Sequence, residues 1–212
     1  SADRSLKMVV PHGIQMDDSE VWNVEILAAL PMVVCAPREV RKYSEQANKV
    51  AVPNATPFVY VCSMLESPAP SQRAGTLFFP SHSTHHVTAR SAFDELAEQL
   101  CALPSQFQPV SVCVYWRDYM LGHHLPFEKR GLRIVSAGHM FDRSFLFRLF
   151  HLCSRHRYAC SNELGSHVFY SVKAGCSFFL LGEAARDEYA NARANVDLTA
   201  IPLTVRERIQ QL

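Results

Sequence analysis

Eight short runs rich in β-branched and aromatic residues punctuate the chain, at residues 7–10, 32–35, 58–62, 76–79, 110–115, 132–136, 158–160 and 177–181. Stretches with helical spacing lie between most of them. Such alternation predicts an α/β chain with a parallel sheet, because parallel neighbours need a crossover long enough to hold a helix. Several runs are apolar throughout, as strands covered on both faces should be. Between the fourth and fifth runs, Ala89, Ala92, Phe93, Leu96, Leu100 and Leu103 recur at helical spacing and predict one amphipathic helix. Phe145, Leu149, Leu152 and Cys153 predict a second, and Val168, Phe169 and Val172 a third, which Gly175 terminates.

Residues 67–75, SPAPSQRAG, carry Pro, Ser and Ala without periodicity and read as a linker between residues 1–66 and 76–212. Five expected strands follow it, enough for a doubly wound domain. Only three precede it, so the amino-terminal domain is expected to be incomplete. With 48% hydrophobic and 19% charged residues, the chain has the composition of a folded core rather than of disorder. Lys and Arg number 21 against 20 Asp and Glu, leaving a net charge of +1. No global field therefore draws in nucleic acid or an anionic membrane, and any anion must be held by local groups.

No apolar stretch approaches the roughly 20 residues of a bilayer span, and the opening SADRSLK lacks the apolar core of a signal peptide. Seven cysteines, odd in number and without a CxxC pair, lie mostly in apolar runs. They read as small hydrophobes in a reducing compartment, so a soluble, cytoplasmic protein is expected.

Ligands of open parallel sheets bind beyond the carboxyl ends of the strands, so the polar residues after each run are the site candidates. Ser161-Asn162-Glu163-Leu164-Gly165-Ser166 joins an expected strand to an expected helix, where exposed backbone N–H groups suit a phosphate. The same residue types also make an ordinary helix cap. After the 76–79 run come Ser81, His82, Ser83, His85 and His86, suited to contact with a diphosphate or sugar. Zinc is the competing ligand there, but neither an HExxH spacing nor a cysteine pair supports it, and no metal is expected. Trp116-Arg117-Asp118 and Ala137-Gly138-His139 follow two further runs and are placed to receive a base, a ribose or a sugar; Arg117 with Asp118 reads equally as a surface ion pair. Pro11-His12-Gly13 follows the first run, and His12 is a candidate general base, since an unperturbed imidazole titrates near neutral pH.

The succession FFPSHS, VCVYW, LRIVSAGHMFD and ACSNELGSHVFYSVKAGCSFFLLGE resembles the carboxyl-terminal nucleotide-binding domain of GT-B-fold glycosyltransferases. More narrowly, it is similar to bacterial capsule and surface-polysaccharide transferases, over about half of the chain. The resemblance implies Rossmann-like parallel sheets flanked by helices and a metal-independent transfer of sugar to a glycan or other hydroxyl acceptor. The nucleotide-diphosphate sugar would be a co-substrate, with no further cofactor and no nucleic-acid partner, and a homo-oligomer is compatible with it.

Carried over residue by residue, Ser161, Asn162, Gly165 and Ser166 would cradle the diphosphate, His82 would donate to it with Ser81 among its binding residues, and Gly138 and His139 would border the base. PHG resembles the cleft-facing loop of the other domain, which makes His12 the acceptor base. Two departures stand out. Cys176-Ser177 occupies the place where many such transferases have a proline after the glycine, and the SNELGS helix lacks the early acidic residue that holds the donor ribose in some of them. Two rival readings are a sugar-nucleotide epimerase or hydrolase, and a non-catalytic α/β ligand-binding or interaction module.

Overall fold

The computed structural model describes residues 7–10, 13–14, 21, 26–27, 29–84, 87–139, 142–184 and 186–189. The chain divides between Met64 and Leu65 into two units. In the first, the fully buried β1 (Met32–Val34) leads into α1 (Pro37–Ala47), and β2 (Ala51–Pro53) returns parallel to β1 with Met32 opposite Ala51. Pro37 opens α1 where its missing N–H is no loss, and the buried Glu39 carboxylate accepts from the Cys35 and Ala36 N–H groups at 2.7 and 2.8 Å. Met32, Val34, Tyr43 and Ala51 form the core of this unit.

Two expectations for the first unit are corrected. Residues 58–62 lie in a helix, α2 (Pro57–Met64), not a strand. A five-residue apolar run has no periodicity to separate the two, and Pro57 presets the helical turn. Of residues 7–10, only Val9 joins the sheet, through a single parallel bridge to Met32.

The second unit runs β3 (Thr76–Phe79), β4 (Val87–Arg90), α3 (Phe93–Cys101), β5 (Val110–Cys113), α4 (Trp116–Met120), α5 (Leu125–Lys129), β6 (Arg133–Val135), α6 (Phe145–Arg155), β7 (Tyr158–Ser161), α7 (Ser166–Lys173), β8 (Ser177–Leu180) and β9 (Arg186–Tyr189). Five strands form one parallel sheet in the order β6-β5-β3-β7-β8. Register aligns Ile134, Val112, Phe78, Cys160 and Phe179 in one row across it. That row packs with Leu96, Ala97 and Leu100 of α3 and Phe127 of α5. The alternate row, Arg133, Ser111, Leu77, Ala159 and Phe178, lies on the opposite face, where Leu152 of α6 lines one cavity with Ser111 and Arg133. Helices on both faces of a parallel sheet make the unit Rossmann-like, which explains why its central strands β3 and β5 are buried at every position.

β4 and β9 pair antiparallel outside that sheet. Ala89 therefore belongs to a strand, and the helix expected from it begins only at Phe93. Val87 and Thr88 favour extended backbone, and a partner far along the chain holds them there.

Within the segment read as a linker, Pro70–Gln72 form a 3₁₀ turn, and the Arg73 side chain donates to the carbonyls of Pro68 and Ala174 at 3.3 and 2.9 Å. Gly75 closes the segment at φ +70°, and a Cβ there would stand 2.1 Å from the Pro109 carbonyl oxygen. All seven cysteines are free thiols. Among the described residues, no helix is long and apolar enough to cross a membrane.

Candidate functional site at the carboxyl edge of the sheet

Chain order in the sheet reverses beside β3, whose successor β5 lies on one side while β7 lies on the other. Such a reversal opens a crevice, because the connections leaving β3 and β7 diverge to opposite faces. Phe79 is in register with Ser161, so the loops beginning at Pro80 and Asn162 start side by side.

Asn162 joins these loops. Its Oδ1 accepts from the Ser81 N–H at 2.8 Å, and its Nδ2 donates to Ser91 Oγ at 3.2 Å and to the Glu183 carbonyl at 3.0 Å. Both amide donors are thereby committed to the protein, and the side chain positions the loops around it. Ser81 is 3% exposed, and its Oγ has no hydrogen-bond partner among the described residues. A buried hydroxyl left in this way costs free energy unless a ligand or water completes it.

Ser161 is fully buried, and its Oγ accepts from the Glu163 N–H at 3.1 Å. Gly165 is the N-cap of α7 and, having no side chain, contributes no capping bond to the first turn beginning at Ser166. The Gly165 backbone is extended, at φ −165°, so conformation does not require glycine. Space is tight instead: a Cβ would approach His167 Nδ1 to 3.0 Å, so the imidazole would have to give way.

His167 stacks on Phe79 with ring centroids 5.2 Å apart, and its Nε2–H donates to the Glu163 carbonyl at 3.1 Å. Burial, and after it the neighbouring His82, holds its pKa down at about 4. The ring is therefore neutral at pH 7 and takes up a proton near pH 6.5 only when the chain unfolds. Stability from this group is complete above pH 6.5 and falls as pH drops toward 4. Because the ring keeps some solvent contact, the loss should be about 1–2 kcal/mol. Urea melts at pH 7 and pH 4.5 check this; His167→Phe should flatten the difference, and an unchanged difference would locate the acid sensitivity elsewhere.

The exposed His82 meets Tyr115 edge-on at 5.1 Å. Gly138 takes φ +96°, with the Arg148 guanidinium against it, and its N–H donates to Ser136 Oγ at 3.1 Å. His139 is buried against Trp116, with ring centroids 4.5 Å apart. The carboxyl ends of parallel strands thus bring Ser81, His82, Gly138, His139, Ser161 and Asn162 to one edge of the sheet, with Gly165 and Ser166 leading from it into α7. His12, His85 and His86 lie outside the described residues.

Sequence reasoning missed the cluster around Asp118. Instead of forming a surface pair with Arg117, this carboxylate is 2% exposed and accepts from the Ser83 N–H at 3.0 Å, from Ser83 Oγ at 2.6 Å and from His123 Nδ1 at 2.9 Å. Ser83 Oγ in turn accepts from the Ala89 N–H at 3.1 Å, so one acid fixes the loop between β3 and β4. The available signal was an acid in the first turn of a helix after an apolar strand, five residues ahead of a histidine. Among the described residues, no three His, Cys, Asp or Glu side chains are grouped to hold a metal ion. Comparison with protein-family models, with curated proteins and with solved structures finds no match to the chain.

Proposed function

We propose that the chain binds a nucleotide-diphosphate sugar at the β3–β7 crevice and acts as a metal-independent glycosyltransferase of the GT-B type, transferring the sugar to a glycan or other hydroxyl acceptor. The observation that carries the reading is the buried, unpartnered Ser81 hydroxyl on a loop fixed to the base of the α7 loop by Asn162. Gly165, the N-cap of α7, brings no capping side chain to the start of that helix. A diphosphate satisfies such donors, and the helix dipole favours the charge that grows on it as the glycosidic bond breaks. Asn162 and Ser161 serve this site as positioning residues, Ser81 Oγ and the Ser166 turn as ligands.

Calorimetric titration with a panel of nucleoside diphosphates tests the reading. Ser81→Ala should weaken binding about tenfold while leaving unfolding stability unchanged or slightly raised, because it deletes a hydroxyl that the free protein leaves unsatisfied. A folded wild-type chain that binds none of the diphosphates would overturn the proposal. Product analysis with and without a hydroxyl acceptor then separates transfer from hydrolysis.

A further inference from the structure

The face of the sheet that carries Leu77, Ala159 and Phe178 is interrupted on β5 and β6, where the same row holds Ser111 and Arg133. The last turn of α6 leaves an open cavity of about 240 Å³ over these two residues. Its walls include Ser111, Arg133, Val135, Leu152, Arg155 and His156, and no carboxylate lines it.

An arginine at a helix end ordinarily serves the final carbonyls. Here that work is done by others. The Leu152 carbonyl accepts from His156 Nδ1 at 2.7 Å, the Cys153 carbonyl from the His156 N–H and Cys176 Sγ, both at 3.1 Å, and the Arg155 carbonyl from the Ala74 N–H at 3.2 Å. Neither Arg133 nor Arg155 forms an ion pair among the described residues.

His156 fits the same electrostatic pattern. Because its Nδ1–H is given to Leu152, its Nε2 accepts from the Ser111 hydroxyl at 3.1 Å. Burial and the Arg133 charge hold its pKa below the ordinary histidine value. The carbonyl end of α6 offers only partial negative charge against two full positive ones.

We propose that this cavity is a phosphate site, taking a tetrahedral dianion between the guanidinium groups of Arg133 and Arg155, with the Ser111–His156 pair as its inner wall. Guanidinium forks match phosphate oxygens in geometry as well as charge. The volume lies below the roughly 300 Å³ at which sites for larger ligands begin. It is large enough for inorganic phosphate or the phosphate of a small phosphomonoester. The site opens at the amino ends of the strands, away from the β3–β7 crevice, and does not depend on the function proposed there.

The test is an NMR titration of the full chain that follows histidine ring signals, with inorganic phosphate and a hexose phosphate as separate ligands. Inorganic phosphate should shift the His156 signals saturably. Arg133→Ala and Arg155→Ala should each weaken that response about tenfold, and Arg157→Ala should not. Tighter binding of the hexose phosphate would identify a carried phosphate as the ligand, and tighter binding of the free ion would identify phosphate itself. No saturable His156 shift in the unaltered chain overturns the proposal, whatever the variants do; so does a shift that persists in both alanine variants. Nucleoside diphosphate, read through the His167 signals at the other edge, reports the crevice separately, so either reading can fail alone.

Discussion

Replacing Asp118 by alanine should lower the unfolding free energy by about 3–5 kcal/mol, because the change strands several buried donors at once. The Ser83 N–H and hydroxyl and the His123 ring N–H all donate to this carboxylate, which is 2% exposed. Each donor left in the interior without a partner costs about 1–3 kcal/mol. Asp118→Asn should cost less, since an amide oxygen still accepts from Ser83. Urea unfolding of the two variants checks the order. A loss below about 1 kcal/mol for the alanine variant would mean that water replaces the carboxylate and that the cluster is not sealed.

The second large effect is expected at Asn162, and it appears in both stability and binding. Asn162→Ala releases the Ser81 N–H, Ser91 Oγ and the Glu183 carbonyl together, untying three segments at the carboxyl edge. Stability should fall by about 2–4 kcal/mol, the sum expected for a few neutral hydrogen bonds with one buried N–H left open. Nucleoside diphosphate affinity should fall by more than about 100-fold, because ordering the loop would then have to be drawn from binding energy. Asn162→Asp keeps the acceptor for Ser81 and should fall between the two. Equal loss of stability without loss of affinity in the alanine variant would make Asn162 a strut of the fold alone.

The five sheet strands of the second unit were legible because each is a short run rich in β-branched or aromatic residues bounded by polar or turn residues, and the central ones, β3 and β5, are buried at every position. Helix α2 was not legible, since the run FVYVC is apolar at every position and only Pro57 marks the difference. β4 escaped notice because it pairs with residues 186–189, a partner no local window contains. The same limit applied at the site. The places of Ser81 and Ser161 at the carboxyl edge follow from their positions after apolar runs, but Asn162 reads as one more phosphate ligand until the fold sets Ser91 and Glu183 beside it. Asp118 looks alike in sequence whether it faces water or Ser83.

The β4–β9 pair also bears on how the chain acquires its structure. Ribosomal synthesis is directional, and β4 emerges before any strand of the sheet except β3, whereas β9 follows the last of them. Until β9 arrives, β4 is a nascent edge with unmet backbone groups, open to pairing with the same segment of a neighbouring nascent chain. Closure of this ribbon is thus a late event with a long loop to close, and it secures the segment that follows Glu183, whose carbonyl Asn162 already holds. Chains interrupted before residue 186 would complete the parallel sheet yet keep that edge open, and aggregation during synthesis, rather than loss of the core, would be their characteristic failure.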